Sequence, residues 1–472
     1  MRTVNFKYPQ DTVRNMRLDR VINRPVGILG MARSGLASAR LIKRLGGKPF
    51  VSDNQPEAQL KDRISELKSL DIPFEVGGHS DAILEFAEYI ITSPGVPNDN
   101  PIILKAEELG IPVFSELELA FWLCDANIAA ITGSNGKTTT TSLLGEIFKT
   151  AGYDTYSAGN IGYPFSEICD RMQAEGWVSL EVSSFQLERI FDFRPDIAVI
   201  LNLTPDHLDR YTSFEEYAET KFRIAENQTP SDTLILNADD DYLMELGSKV
   251  LSRKIYISQR LPVHPGIYLE GDSIKYKIDD HEGDLGGISD IRIPGPHNLY
   301  NAMAAGAAAL TAGVSEYIIR RVFREFPGVE HRLEYVDTVN GIKFVNDSKA
   351  TNIDSVWYAL KSIPENMVLI LGGRFKGGDL KHLNKLISEK VKRIILIGES
   401  QKIMQNAYES ATEISSADSL QEAVYLGYES ASEGEVVLLS PACASFDMFT
   451  DFEERGRIFK DTVYKLAEET RS

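Results

Sequence analysis

A chain of 472 residues, 43% hydrophobic and 25% charged, is too long for one ordinary core and is expected to form two to four soluble domains. Its net charge of −19 argues against broad nucleic-acid binding, and its three widely spaced cysteines, Cys124, Cys169 and Cys443, argue against a disulfide framework or a zinc cluster and fit a reducing cytosol. The chain has no apolar run long enough to span a membrane, and its first residues lack the apolar core of a secretory signal, so neither membrane insertion nor secretion is expected.

Three strand–helix blocks follow one another, which predicts an α/β fold of three domains with boundaries near 115 and 328: residues 1–115, 116–328 and 329–472. In the first, the apolar run Pro25–Leu29 enters a glycine turn and then a helix through Leu36–Ile42. Further strands end at Asp53 and at Ser93-Pro94-Gly95. This is a Rossmann-like pattern, with loops at the strand carboxyl ends. Gly30-Met-Ala-Arg-Ser-Gly35, followed by Asp53, imitates a dinucleotide fingerprint, but Ala32 replaces the middle glycine. A β-carbon there hinders close approach of a pyrophosphate, so the motif alone leaves a dehydrogenase open.

The second block opens with Ile128–Thr132 and runs into Gly133-Ser134-Asn135-Gly136-Lys137-Thr138-Thr139. A strand, this loop and then a helix make a P-loop, predicting a central parallel sheet of the ATPase type. Inward-turned N–H groups would cradle phosphate, the lysine would add charge and the threonine hydroxyl could bind Mg²⁺. Two residues separate the glycines where the general motif has four, so a glycine-rich turn is the alternative. Glu181 and His207 follow later strands and project to the same sheet edge, as metal ligands or as ordinary surface groups. Helical spacing puts Lys221 in one apolar stripe with Phe214, Tyr217, Ala218, Ile224 and Ala225. It must either snorkel to solvent or be buried with a lowered pKa, and a neutral amine there could take up CO₂ as a carbamate. Near 267–277 the pattern reads as a hairpin with a Gly-Asp turn, and an alanine-rich helix from Leu299 closes the block.

The third block reads as strands at Ile342–Val345, Met367–Leu371, Arg393–Ile397 and Val436–Leu439 with helices between them, again Rossmann-like.

Segments in all three blocks resemble the Mur ligase family, which builds the peptidoglycan stem peptide. Besides the P-loop these are Gly159–Gly162, Glu181–Glu188, Asn202–Asp209, Gly295–Asn301, His331-Arg332, Asn346–Asn352 and Ser440–Ser445. Pro441–Phe449 followed by Asp451–Gly456, together with Ser93–Pro97, is closest to the branch that adds D-glutamate to UDP-N-acetylmuramoyl-L-alanine. The Asp-Asn-Pro-Arg motif usual in the diamino-acid-adding branch is absent. The resemblance implies a cytoplasmic, ATP-dependent amide ligase that works through an acyl phosphate, with two Mg²⁺ sites and no nucleic-acid partner, and a monomer is the expected state. It implies that Lys137 contacts the ATP phosphates, that Thr138 and Glu181 hold one Mg²⁺, and that His207 and a carbamylated Lys221 hold the second. Asn298, Arg332 and Asp347 would hold adenosine or phosphate, and Asn160 the muramoyl group. Lys349, Thr351, Lys376, Ser445 and Phe452 would form the glutamate pocket, Lys349 also facing the reacting phosphate. Lys376 lies in Gly372–Gly378, a loop that departs from the usual spelling. The first block would then cradle UDP, through Met31, Ala32, Arg33, Ser34 and Asp53 with Ser93, Pro94 and Gly95. Rival readings are another amide ligase of the family, a nucleotide switch, and the dehydrogenase.

Overall fold

The structure is a computed structural model and describes residues 18–206, 210–293 and 295–471. The expected N-terminal segment and His207 therefore lie outside the described residues. The chain forms three sheets. The first contains Pro25–Leu29 (β1), Lys48–Asp53 (β2), Phe74–Val76 (β3), Tyr89–Thr92 (β4) and Val113–Ser115 (β5). All are parallel, in the order β3-β2-β1-β4-β5. The order reverses between β1 and β4, which opens a crevice at their carboxyl ends.

The second sheet has nine strands: Asn127–Thr132 (β6), Thr155–Gly159 (β7), Trp177–Glu181 (β8), Ile197–Ile200 (β9), Thr233–Asn237 (β10), Arg253–Ser258 (β11), Gly266–Glu270 (β12), Ser273–Ile278 (β13) and His281–Gly287 (β14). Their order is β14-β13-β12-β11-β10-β9-β6-β8-β7, parallel from β7 to β12 and antiparallel beyond. The expected hairpin is β12–β13, turned at Gly271-Asp272 with Gly271 at φ 60°. The third sheet contains Glu334–Val339 (β15), Ile342–Asn346 (β16), Met367–Gly372 (β17), Val391–Ile397 (β18), Glu413–Ser416 (β19) and Val436–Leu439 (β20). Its order is β15-β16-β20-β17-β18-β19, with only β15 antiparallel to its neighbour.

Near-continuous apolar strands are explained by burial on both faces. Along β6, Ile128 and Ala130 pack into one core and Ala129 and Ile131 into the other. Along β17, Met367, Leu369 and Leu371 face one side while Val368 and Ile370 face the opposite side. Small residues let the alanine-rich Pro296–Thr311 helix lie close against Lys137–Thr150, the helix after the P-loop.

One apolar cluster runs from the first sheet into the second through Leu117, Leu119, Ala120 and Trp122. These residues lie on the Glu116–Leu123 helix, which is buried nearly all round and so reads as a plug between layers. Its Glu118 is buried as well. The carboxylate accepts the N–H groups of Phe191, Asp192 and Phe193 at 2.8, 2.8 and 3.0 Å and the indole Nε1 of Trp122 at 2.7 Å. Burial nonetheless raises its pKa. Removing the carboxylate would leave those donors without an acceptor. Glu118→Ala is therefore expected to destabilise the junction by about 3 kcal/mol, read from the denaturant midpoint; a shift equivalent to less than about 1 kcal/mol would contradict this account.

Candidate active site

The P-loop bends because Gly133 and Gly136 take φ of 145° and 86°. At Gly136 a β-carbon would collide with the Asn301 side chain, so the loop lies directly on the alanine-rich helix. Asn202 supports the loop from the end of β9. It accepts the Asn135 N–H at 2.8 Å and donates its amide to the Asn135 carbonyl at 3.0 Å. The Ser134 hydroxyl donates to the Thr204 carbonyl and accepts the Thr204 N–H, both at 2.9 Å. Lys137 folds back on the loop, with Nζ 2.8 Å from the Gly133 carbonyl oxygen and 3.0 Å from that of Ser134. Thr138 and Thr139 are buried at the start of the helix.

Glu181 ends the neighbouring strand β8 and is buried. Its Oε1 accepts the Asn160 amide at 2.9 Å, while Oε2 is buried without a hydrogen-bond partner among the described residues. An anionic oxygen left in this state is costly and suits a cation. Lys221 is 2% exposed, so snorkelling is ruled out. Its Nζ sits 4.6 Å from the centre of the Tyr217 ring. Burial, reinforced by repulsion from Lys137, drives its pKa well below the usual lysine value against the pull of Asp206 and Glu181. Burial also lowers Lys137, opposed by the same two carboxylates.

The C-terminal block closes over this ground. The Ile353–Ser362 helix is capped by Asn352, which also donates to Asp206 at 3.2 Å, and its Ser355 hydroxyl donates to Asn135 Oδ1 at 3.0 Å. A cleft of about 420 Å³ remains between the blocks, lined in part by Asp206, Thr351, Asp354, Lys376 and His382. Lys349 has its Nζ 4.9 Å from the centre of the Phe452 ring. Burial lowers its pKa, while Glu181 pulls the other way. The field of Lys376 reaches Lys137. Arg332 has its Nε buried without a partner among the described residues. Its charge is felt by Lys137, Lys349, Asp347 and His297, the last at the start of the Pro296–Thr311 helix, where Asn298 is also buried and accepts from Asn301 at 2.9 Å. The Asp347 carboxyl accepts from Ser440 at 2.8 Å and from the Leu333 N–H at 3.2 Å, and burial pushes its pKa up to about 6. Ser445 is buried close by, with its carbonyl receiving Met448 and Phe449 N–H groups.

The expected UDP residues gather at the mouth of the first sheet. Asp53 accepts the Met31 N–H at 2.5 Å and the Gln55 N–H at 2.8 Å. A β-carbon on Gly35 would overlap the Gly30 carbonyl, so the turn requires glycine there although Ala32 fits. Ser93 stands beside both glycines with its hydroxyl buried and without a hydrogen-bond partner among the described residues. This mouth meets the second sheet at two points. Arg33 donates to the Gly162 carbonyl, beside Asn160, and Arg210 donates to the Pro94 carbonyl at 3.1 Å, next to Gly95. Ala32 caps the Arg33–Arg44 helix, whose first two residues are Arg33 and Ser34.

Three residues of this region stand outside the expected set. Asp206 was hidden beside the more conspicuous His207. Arg210 pairs with buried Glu188 at 2.5 Å and lies 4.2 Å over the Phe185 ring. Arg455 is fully buried and donates to the Ser348 hydroxyl, the Ser348 carbonyl and the Cys443 carbonyl at 2.9, 2.7 and 3.2 Å. Its place in Asp451–Gly456 was the available signal, since a charged residue on the inner face of an amphipathic helix needs buried partners.

Three family models match the chain in order. They are the Mur ligase MurD-like N-terminal domain over residues 24–115, the Mur ligase middle domain over 131–309 and the Mur ligase glutamate ligase domain over 331–443. The UDP-N-acetylmuramoylalanine–D-glutamate ligase of Koribacter versatilis is 43% identical over 442 residues, 94% of this chain and 97% of that protein. The enzyme of the same name from a Thermoanaerobacter species is 43% identical over 443 residues, covering 93% and 98%. The solved UDP-N-acetylmuramate–alanine ligase of Thermotoga maritima has the same fold, with a TM-score of 0.61 at 20% identity over 94% of this chain and 99% of that one.

Asp347 gives a direct test of the electrostatics. Followed by carboxyl NMR, it should ionise at about pH 6. Because Arg332 favours the ionised form, Arg332→Met should move the midpoint to higher pH; an unmoved or lower midpoint would show that the two groups do not interact.

Proposed function

The chain belongs to the Mur ligase family, and from this premise we propose that it joins D-glutamate to UDP-N-acetylmuramoyl-L-alanine, spending ATP and releasing ADP and phosphate, in peptidoglycan precursor synthesis. One geometric observation carries the chemistry. The half-partnered, buried carboxylate of Glu181 lies in a field of cations drawn from two blocks: Lys137 and Lys221 from its own, Lys349 from the next.

The alanine carboxylate of the sugar substrate attacks the γ-phosphorus of ATP. ADP leaves and an acyl phosphate forms. The D-glutamate amine then attacks the acyl carbon, gives up a proton, and phosphate departs. Two anions must meet in the first step, and Lys137, Lys349 and Arg332 offset their repulsion in a dry site. The backbone N–H groups of Gly133 to Thr139 would cradle the phosphates and Asn298 the adenosine. Thr351, Lys376, Ser445 and the start of the Phe452–Arg471 helix would anchor the two carboxylates of glutamate. Met31, Ala32, Arg33, Ser34, Asp53 and Ser93–Gly95 would hold UDP, and Asn160 the muramoyl group.

The donor set fits Mg²⁺. Thr138 and the open Oε2 of Glu181 would hold one ion, His207 and a modified Lys221 another, and the bound metal would neutralise phosphate charge. The modification is carbamylation. The neutral Lys221 amine would bond through its lone pair to the carbon of CO₂ and release a proton to solvent, turning a buried neutral group into an anion that could face a metal. All these groups come from one chain, so a monomer suffices. No helix among the described residues is long and apolar enough to cross a membrane, and we assign the protein to the cytoplasm.

The function is tested by phosphate release with UDP-N-acetylmuramoyl-L-alanine and a panel of D- and L-amino acids. D-glutamate should be strongly preferred, and release with a different amino acid instead would replace the proposed substrate. Lys137→Ala should lower kcat by about two to four powers of ten; near-native turnover would remove the lysine from the chemistry. Lys221→Ala should be impaired and partly rescued by small carboxylic acids, with intact mass of the native protein showing the added CO₂. An unmodified amine in a fully active enzyme would dispose of the carbamate.

A further inference from the structure

The linker from the central to the C-terminal sheet, residues 326–333, is gripped by groups that the proposed chemistry does not use. Arg332 sits in it between two left-handed residues, His331 at φ 65° and Leu333 at φ 44°. Side chains rarely adopt that backbone, and it persists only where the surroundings over-determine it. Here the surroundings converge on one carboxylate. Glu334 Oε2 accepts the His331 N–H at 2.9 Å and the Asn346 amide at 3.0 Å, while Oε1 accepts Lys460 Nζ at 2.7 Å. Lys460 also donates to Glu330 Oε1 at 2.7 Å. The Asn346 amide lies 2.9 Å from His331 Nδ1. The turn is tied onward by the Leu333 N–H to Asp347 and by the Lys349 N–H to the His331 carbonyl at 3.0 Å.

Glu330, His331 and Glu334 have the donor types of a cation site. The Lys460 ammonium already bonds both carboxylates, so the cluster's charge is met from within the chain. Every tie acts on the residues around Arg332, and none takes up its buried Nε.

We propose that Glu334 and Lys460 are positioning residues for the nucleotide: together they fix the 330–334 turn so that the Arg332 guanidinium is held toward ATP. The proposal rests on the reading of Arg332 as a nucleotide contact. It also ties two ends of the site together. Lys460 lies about two turns along the helix that starts at Phe452 and carries Arg455. The Gly456 of that helix packs against the His331 ring, where a β-carbon would collide. The element that opens on the glutamate pocket thus also sets the nucleotide contact.

The test is steady-state kinetics of Lys460→Met, Glu334→Gln, Lys460→Arg and Arg332→Ala, each substrate varied in turn, with thermal unfolding alongside. Lys460→Met and Glu334→Gln should each raise KM for ATP about tenfold, leave kcat near native and leave KM for D-glutamate and for the UDP-sugar unmoved. Lys460→Arg should restore KM for ATP. A lowered Tm or active fraction with native KM for ATP makes the cluster a structural brace only and overturns the proposal. If Arg332→Ala raises KM for ATP and the two clamp variants do not, the nucleotide reading stands and the clamp is refuted. If Arg332→Ala leaves KM for ATP native, both fall.

Discussion

Two lysines sharing the pull of the same carboxylates set the terms for the whole site. Lys221 is buried and Lys137 half-buried; they repel each other and share the attraction of Glu181 and Asp206. In a medium that screens poorly, such a cluster is compensated only by more negative charge or by loss of a proton. Lys137 is partly stabilised by two loop carbonyls. Lys221 has the Tyr217 ring face 4.6 Å from its Nζ. The site is therefore built to gain stability when anions enter, which is what a triphosphate and a carboxylate substrate are. The same repulsion extends to Arg332 and Lys349: Arg332 lowers Lys137 and Lys349 alike, so these cations too would be relieved by an entering anion.

Parallel sheets bring this about. In each of the three, loops at the carboxyl ends of the strands carry the functional groups, and each sheet is covered on both faces by apolar cores. The layers are then joined by polar contacts: Arg33 to Gly162 and Arg210 to Pro94 on one side, Ser355 to Asn135 and Asn352 to Asp206 on the other. Apolar packing holds each body together and continues from the first into the second, while these directional bonds add fixed points of contact between bodies.

Much of this was legible along the chain. Strong apolar runs such as Val436–Leu439 and the β12–β13 hairpin stood out because burial on two faces and a Gly-Asp turn leave clear patterns. Short strands such as Phe74–Val76 and Val113–Ser115 did not, since three residues carry no periodicity. The P-loop was readable because its chemistry is local. Lys221 was half legible: spacing put it on the buried stripe, but only the fold decides between a snorkelling and an enclosed amine. Arg455 was legible only through its place in Asp451–Gly456; Asp206 and the Glu334–Lys460 pair were not legible, because each acts through a partner far away in sequence, as Lys460 does on Glu330 across 130 residues.

The bond from Ser355 to Asn135 reaches from one body into the phosphate loop of the other. Swinging the C-terminal body away would expose the Asn135 oxygen to water, which replaces the lost hydroxyl at a net cost of only about 1 kcal/mol. Together with the Asn352 to Asp206 bond, it makes a polar seam between the bodies that water can take over, so parting them there costs far less than parting an apolar interface.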